Sequence, residues 1–270
     1  PVLNARIRKA WMASHGKLKV GVVGDQADLT YPTEYLGAGP QTLKELADGT
    51  HSFADVLKGA ERPLIVLGSG AVSRADGAAV HAAAVALANQ VGAIGEDWNG
   101  FNLLQSAASR VAGLELGFLP GESGRDVAGI LDGAASGDID TVWLLGADEI
   151  DMTPLKNAFV IYQGSHGDNG AHAADVILPG AAYTEKSATY INTEGRIQMT
   201  DAAGHPPGEA REDWKIIRAL SATLGHQLPY DDLDALRGRM KEIAEDIDMV
   251  DVPRPGVPST NGGGEMDDSP

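Results

Sequence analysis

The stretch Pro63-Leu-Ile-Val-Leu-Gly-Ser-Gly70, with the helical pattern that follows it, decides the fold of this 270-residue chain. Its first five residues are continuously apolar, which is typical of a strand in a parallel sheet covered on both faces. Ser73 and Asp76 have the spacing of a capping pair, and apolar residues then repeat on one helical face as far as Val91, just before Gly92. A strand, a glycine turn and a long helix form the first parts of a βαβ unit.

The same order of elements recurs along the chain. Four further runs are predicted as strands: Lys17–Asp25, Ile139–Leu145, Ala158–Tyr162 and Ala174–Leu178. Helices are predicted at the capping pairs Thr42/Glu45 and Ser52/Asp55, ended by Gly49 and Gly59, over Asp126–Ala135, and along the apolar stripes Trp214–Leu224 and Leu233–Ile247, whereas Tyr31–Pro40 is predicted as a loop. These patterns predict an α/β fold of doubly wound, mostly parallel sheets with helices on both faces, followed by C-terminal helices and a flexible tail.

The composition suggests four regions. They are a linker over 1–16, a partial α/β domain over 17–225, a C-terminal helix within 226–250 and a disordered tail over 251–270, which is rich in Pro, Gly, Ser, Asn and acidic residues. The chain starts at Pro1, with neither an initiator Met nor the pattern of a signal peptide. We therefore expect it to be a piece cut from a longer polypeptide.

The charge and the cysteine count exclude several kinds of function. The net charge is −17, and a field of that sign repels phosphate, so we expect neither nucleic acid nor an anionic membrane surface as a partner. No apolar run reaches the roughly 18–20 residues needed to span a bilayer, so we expect no direct membrane insertion. The chain has no Cys, which excludes disulfides, thiolate zinc sites, Cys nucleophiles and Cys-held iron–sulfur clusters within it. The 43% of hydrophobic residues is ample for a folded core.

Two glycine turns at predicted strand ends are candidate cofactor sites. Gly68 and Gly70 resemble a phosphate-binding turn, but the dinucleotide fingerprint requires a third glycine where this chain has Ser73. Gly146 precedes Asp148, which is placed to accept from a ribose hydroxyl, although the neighbouring acids disfavour an anionic ligand. We interpret the first as a structural turn and the second as a solvated acidic loop.

The most unusual segment is Gln163–Asp175. His166, His172, Asp168 and Asp175 supply the ligand types of zinc or iron, but the two histidines lie six residues apart in a glycine-rich loop, with no helical spacing to preset their geometry. Ser165, His166 and Asp168 are too close in sequence for a catalytic triad, whose members come from separate elements. We predict loop hydrogen bonds here, and a structural salt-bridge set of Glu185, Glu194 and Arg196 in the turn-rich stretch that follows. No catalytic or metal-binding residue is predicted.

Several motifs resemble a known family. The run Ala174-Asp-Val-Ile-Leu-Pro179, then Glu185, then Asn192-Thr-Glu-Gly-Arg-Ile-Gln198 is similar to a motif of the molybdopterin oxidoreductase superfamily. More narrowly, four stretches resemble the large iron–sulfur subunits of respiratory complex I, known in mitochondria as the 75 kDa subunits: Asn4–Trp11, Trp98–Arg110, Tyr162–Asp168 and Leu178–Lys186. The resemblance covers about residues 1–225.

The resemblance implies a scaffold role in the peripheral arm of an NADH:quinone oxidoreductase. On this view the domain has lost its cofactor, and [4Fe-4S] and [2Fe-2S] clusters are held by an N-terminal region outside this sequence. The expected partners are the flavin/NADH-binding and iron–sulfur subunits. The expected location is the cytoplasmic side of the inner membrane in bacteria and the matrix side in mitochondria.

Two alternatives stay open. In an active, formate dehydrogenase-like molybdopterin enzyme, Gly68, Gly70, Gly146 and Asp148 would line the cofactor's nucleotide arms. In a free-standing dehydrogenase, Gly68 and Gly70 would bind NADH. Molybdenum or tungsten content would distinguish the first alternative from the scaffold role, and titration with NADH would distinguish the second.

Overall fold

The computed structural model describes residues 1–252 and 266. Its described residues form two compact units, the first comprising residues 1–106 with Met266 and the second residues 107–252. The helices in this part of the chain are α1 (Val2–Ala13), α2 (Gln41–Asp48), α3 (Ala54–Lys58), α4 (Ser69–Val72), α5 (Gly77–Gln90), α6 (Arg110–Glu115), α7 (Val127–Ser136), α8 (Asn169–Ala173), α9 (Asp213–Thr223) and α10 (Leu233–Ile243). The strands are β1 (Gly21–Val23), β2 (Glu34–Gly37), β3 (Ile65–Leu67), β4 (Phe101–Leu103), β5 (Thr141–Leu145), β6 (Phe159–Gly164), β7 (Val176–Pro179), β8 (Ala188–Ile191) and β9 (Ile197–Thr200).

The first unit packs two parallel strand pairs and helices around a shared core. β1 pairs with β2, and β3 pairs with β4. The buried residues include Leu46 of α2, Leu87 of α5 and Phe53, which directly precedes α3. Residues of β2, β3 and β4 pack against them. Helix α5 buries its small and branched residues, because its sequence Gly-Ala-Ala-Val-His-Ala-Ala-Ala-Val-Ala-Leu is apolar around most of its circumference.

Some local predictions for this unit were wrong. The predicted loop Tyr31–Pro40 contains β2, since the backbone from Glu34 to Gly37 pairs with β1. The helices α2 and α3 exist, but their first residues receive no side-chain cap. The Ser73 hydroxyl donates to the Ser69 carbonyl instead of capping α5, which begins at Gly77. Gly49 ends α2, as predicted, and the structure shows it in the left-handed conformation.

The second unit contains the clearest sheet, the parallel strands β5-β6-β7. Its core joins Val142 and Leu144 of β5 to Val160 of β6, with Leu155 from the connection between them and Ala134 from α7. The predicted helix start at Asp126 is confirmed, because its Oδ1 accepts from the Gly129 amide at 2.8 Å. The prediction of an α/β fold with mostly parallel sheets is therefore confirmed.

The C-terminal part of this unit holds an element that the sequence did not reveal. Within the segment interpreted as turn-rich, β8 and β9 form an antiparallel hairpin, whose Ile191 and Ile197 are buried with Ala112 and Ile247. Helices α9 and α10 follow as predicted. Most of the predicted disordered tail, 253–265 and 267–270, lies outside the described residues.

The helices of the described part are short. The longest, α5, has 14 residues, and none combines the length and apolarity needed to cross a bilayer.

His51 joins β2 to the start of α3 through both ring nitrogens. Its Nδ1 accepts from the Phe53 amide at 3.1 Å, so Nε2 carries the proton and donates to the Leu36 carbonyl at 3.0 Å. Replacing His51 with Ala leaves both backbone groups without these partners, and we expect a loss of about 1–3 kcal/mol of unfolding free energy in denaturant titrations. His226→Ala, at an exposed position, is the control and should change it by less than about 0.5 kcal/mol.

Candidate functional site

The carboxyl ends of β5, β6 and β7 lie side by side at one edge of the sheet. Leu145 pairs with Gln163, and Gly164 pairs with Pro179, so the loops after these residues start from neighbouring positions. Ligands of parallel α/β sheets bind outside the carboxyl ends of the strands. This edge is the candidate site of the second unit, and it contains Gly146, Asp148 and the His166 loop.

The Tyr162 side chain fills the space at this edge. Tyr162 is only 3% exposed, and its ring runs along β6 past Gly164 and beneath Gly170 of α8. A Cβ at Gly164 would lie 2.4 Å from the Tyr162 hydroxyl, and a Cβ at Gly170 would lie 2.6 Å from the ring and 3.0 Å from the Ala147 carbonyl. The ring therefore occupies the position between the strand ends and α8, and it leaves no room there for a side chain or a ligand.

The electrostatics of this edge are acidic. Burial raises the pKa of the Tyr162 hydroxyl, and the negative charges of Asp148 and Asp168 raise it further. Asp148 follows Gly146, whose φ of 59° is the left-handed turn conformation that glycine adopts readily. The predicted acidic loop is thus next to a protonated phenol, and the negative charges of the carboxylates disfavour an anion.

A buried polar network lies on the other side of the strand ends. Gln163 is fully buried, and its Nε2 donates to the Asp213 carboxylate at 3.0 Å. The same carboxylate forms an ion pair with Lys186. A Cβ at Gly180 would lie 3.0 Å from the carboxylate oxygen Oδ1 of Asp213. Asp213 is the first residue of α9, where a carboxylate is favoured by the helix dipole. The network joins β6 to α9 and to Lys186, which directly follows a 3₁₀ turn.

The structure does not assemble the metal and triad candidates. His166, Asp168 and His172 are exposed, and the described residues contain no group of three or more His, Asp or Glu side chains arranged to hold a metal ion. His166 Nδ1 lies 2.9 Å from the Ser165 hydroxyl, which is the predicted loop hydrogen bond. Asp175 has a structural contact instead, since its Oδ2 accepts from the Val160 amide at 2.8 Å.

The predicted salt-bridge set was partly wrong. Glu194 and Arg196 form an ion pair at 2.6 Å in the turn of the hairpin. The Glu185 carboxylate instead accepts from the Ala182 amide at 2.9 Å, because both residues belong to the same 3₁₀ turn.

The glycine turn of the first unit shows no feature of a phosphate cradle. Gly68 has an extended backbone and precedes α4, which has only four residues. A Cβ at Gly68 or Gly70 would meet open space, so no close backbone approach requires glycine at either position.

Sequence reasoning missed Tyr162, Gln163, Lys186 and Asp213. One signal for Tyr162 was available, because residues i and i+2 of a strand share a face and Gly164 follows Tyr162 on that face. The network had no such signal, because Gln163 and Asp213 are 50 residues apart.

Comparison with known proteins decides the family. Residues 1–223 match the molybdopterin oxidoreductase family. The chain belongs to this family.

Its curated relatives are more specific. The chain is 46% identical over 258 residues to the mitochondrial NADH-ubiquinone oxidoreductase 78 kDa subunit of Neurospora crassa, a match that covers 94% of this chain and 33% of the relative. It is 44% identical over 261 residues to the mitochondrial NADH dehydrogenase (ubiquinone) iron-sulfur protein 1 of Solanum tuberosum, covering 96% and 34%. The NADH-ubiquinone oxidoreductase 75 kDa subunit of Reclinomonas americana is 45% identical over 252 residues, covering 93% and 36%. The chain thus spans about a third of the length of these relatives.

The residues at the strand ends do not fit the pterin dinucleotide that the family name implies. The Tyr162 ring occupies the crevice, Asp148 and Asp168 oppose an anionic pyrophosphate, and Gly68 and Gly70 form no cradle. The chain also has no Cys to ligate molybdenum. The geometry supports a packed domain.

The packing around Tyr162 predicts how substitutions at neighbouring glycines change the unfolding free energy. Gly170→Ala places a methyl group against the ring and should lower the unfolding free energy by about 1–3 kcal/mol. Gly167→Ala is the matched control, since its Cβ meets open space at a φ without strain. Combining Gly170→Ala with Tyr162→Leu should give a smaller loss than the sum of the two single substitutions, and a purely additive result would contradict the contact.

The Lys186–Asp213 ion pair can be compared with the Lys215–Glu212 ion pair, which lies at the same end of α9 and has a more exposed lysine. Both Lys186 and Asp213 are mostly buried, and Lys186→Met leaves the Asp213 carboxylate without its cation, so we expect a loss of about 1–3 kcal/mol in unfolding free energy. Lys215→Met breaks the pair of a half-exposed lysine with Glu212 and should cost less than about 0.5 kcal/mol. Equal losses for the two variants would show that the network does not stabilise the sheet edge.

Proposed function

We propose that this chain is a structural part of the iron–sulfur subunit of an NADH:quinone oxidoreductase, and that it supports electron transfer from NADH to quinone without a cofactor of its own. The identity of 44–46% to complex I subunits over almost the whole chain carries this proposal. The Tyr162 side chain and the carboxylates at the strand ends support the second half, because they fill and charge the place where a cofactor would bind.

A domain without a cofactor contributes to such an enzyme by fixing positions. Electron tunnelling falls steeply with distance, so a rigid domain that holds cluster-bearing regions in place affects the rate without carrying an electron. The features that suit this role are the buried sheet core and the Gln163–Asp213–Lys186 network, which fix loops and helix to the strand ends. Close-packed protein interiors have low compressibility, so they keep the elements packed on them at fixed distances.

We propose further that the chain lies in the peripheral arm, beside flavin/NADH-binding and iron–sulfur subunits, on the cytoplasmic side of the inner membrane in bacteria or the matrix side in mitochondria. The names of the relatives, as subunits of an NADH-ubiquinone oxidoreductase, support the coarser part of this proposal, a place within such a complex. The [4Fe-4S] and [2Fe-2S] clusters are proposed to be held by Cys residues of the same subunit outside residues 1–270, since this chain has none.

The experiment uses the purified, fully assembled complex. Metal analysis should find no stoichiometric molybdenum or tungsten, and acid oxidation should release no fluorescent pterin. Stoichiometric metal with released pterin would support the formate dehydrogenase-like alternative instead and overturn the scaffold role.

Site variants in the same complex test the role of the His166 loop. Because His166 and Asp168 are exposed and no described residue group forms a metal site with them, His166→Ala and Asp168→Ala should leave the NADH oxidation rate per assembled complex within about twofold of the parent. Gly170→Ala should lower the amount of complex recovered but not the rate per complex. A fully assembled His166 or Asp168 variant that has lost NADH oxidation would contradict the proposal.

A further inference from the structure

The first residues of the chain carry a positive charge that the rest of the chain does not share. Residues 1–24 contain five Lys and Arg side chains and no Asp or Glu, whereas residues 25–270 contain 38 acidic and 16 basic side chains. We call the five cations the basic arm: Arg6, Arg8 and Lys9 of α1, and Lys17 and Lys19 of the connection from α1 to β1. The arm is thus a local exception in a chain of net charge −17.

Contacts among the described residues do not account for the arm. All five side chains are exposed, and none of them forms an ion pair with another residue of the described part of the chain. Acidic residues three or four positions away stabilise helical cations, but α1 contains none. A cation also stabilises a helix from its last turn, and the last turn of α1 holds no basic residue. Neither local effect explains these charges.

The three cations of α1 lie away from its apolar stripe. Leu3, Ile7 and Trp11 share one side of the helix. At 3.6 residues per turn, Lys9 lies about 160° around the helix from Ile7, and the residues directly before and after Ile7, both arginines, lie about 100° to either side. A segment that covers the apolar stripe therefore leaves the three cations accessible.

A hydrogen-bonded turn joins the two parts of the arm. Ser14 follows the last residue of α1, and its hydroxyl donates to the Trp11 carbonyl at 2.7 Å and accepts from the Leu18 amide at 2.9 Å. Leu18 lies between Lys17 and Lys19, so the turn fixes the start of this lysine segment relative to the helix. The arm is therefore a positioned surface, and preorganisation of this kind lowers the entropy cost of binding.

The charges also indicate the chemistry of the partner. The acidic remainder of the chain repels an extended phosphate surface, such as a nucleic acid or an anionic membrane. At physiological salt, charges act over only about 8 Å, so a compact group of carboxylates can approach the arm without meeting that repulsion. Arginine, moreover, binds a carboxylate through two parallel hydrogen bonds. An acidic protein segment is the partner that fits these constraints.

We propose that the basic arm docks on an acidic segment of another subunit of the complex. The choice of another subunit rests on the proposed function, under which the chain works inside an enzyme of several subunits. Complementary charges of this kind select the partner and speed its association more than they add affinity.

Zero-length crosslinking of the purified, assembled complex tests the contact. A carbodiimide joins a lysine amine to a carboxylate in contact with it as an amide, and the water lost in this step converts the carbodiimide to a urea. Mass spectrometry of the digested complex should find Lys9, Lys17 or Lys19 joined to an Asp or Glu of another subunit.

Two lysines of the same chain are the controls. Lys241, whose amine lies 2.6 Å from the Asp248 carboxylate, should link to Asp248. Lys44 of α2, which is exposed and outside the arm, should not link to the partner segment. A Lys241 link without any link from the arm to another subunit would overturn the proposal, as would arm links only to the same polypeptide or to a second copy. The scaffold role is tested separately, by the metal analysis.

Substitution separates the charge of the arm from its packing. Replacing Lys9, Lys17 and Lys19 together with Gln should lower the amount of the subunit retained in the complex at about 0.15 M salt by about fivefold, because exposed ion pairs are individually weak. Replacing the same three with Arg keeps the charge and should retain the parent amount, and Lys44→Gln should do the same. Equal retention of the Gln and Arg variants would overturn the proposal.

Discussion

The packing of the Tyr162 ring against Gly164 and Gly170 is the contact on which the strand ends of the second unit depend. A parallel sheet leaves the carboxyl ends of its strands open, and this opening is where many α/β proteins bind nucleotides. Here a buried aromatic ring lies along β6, and two glycines permit its approach because neither has a Cβ. The space is therefore part of the hydrophobic core, continuous with Val160 and Leu144.

Several carboxylates around this core are paired with a cation or accept N–H groups, whereas the buried Oε1 of Gln163 and Nε1 of Trp143 have no hydrogen-bond partner among the described residues. The Asp213 carboxylate pairs with Lys186 and accepts a hydrogen bond from the side-chain amide of Gln163. The Asp175 carboxylate accepts from the backbone amide of Val160. The Asp151 carboxylate accepts from Thr153 in the 3₁₀ turn, and these hydrogen bonds lower the pKa of Asp151. Removing one partner from such a set leaves the other desolvated and unpaired.

The family of this protein and its function rest on different observations. Membership of the molybdopterin oxidoreductase family describes the fold, but a fold does not determine an activity, which depends on the residues of a site. The strand ends here are filled and acidic, and the relatives are named as subunits of an NADH-ubiquinone oxidoreductase.

The sequence by itself determined the class of fold, the apolar strands of the parallel sheets and the helix ends at Asp126 and Gly49, because these depend on periodicity and on local backbone chemistry. It also excluded Cys-based chemistry, and its motifs indicated the family. Only the tertiary structure decided the pairing of β2, the β8–β9 hairpin, the burial of Gln163 and the position of the Tyr162 ring. The pairing of β2 and the burial of Gln163 depend on contacts between residues distant in sequence. The position of the Tyr162 ring and the burial of the β8–β9 hairpin depend on which other elements cover the strand, which the strand's own sequence does not state.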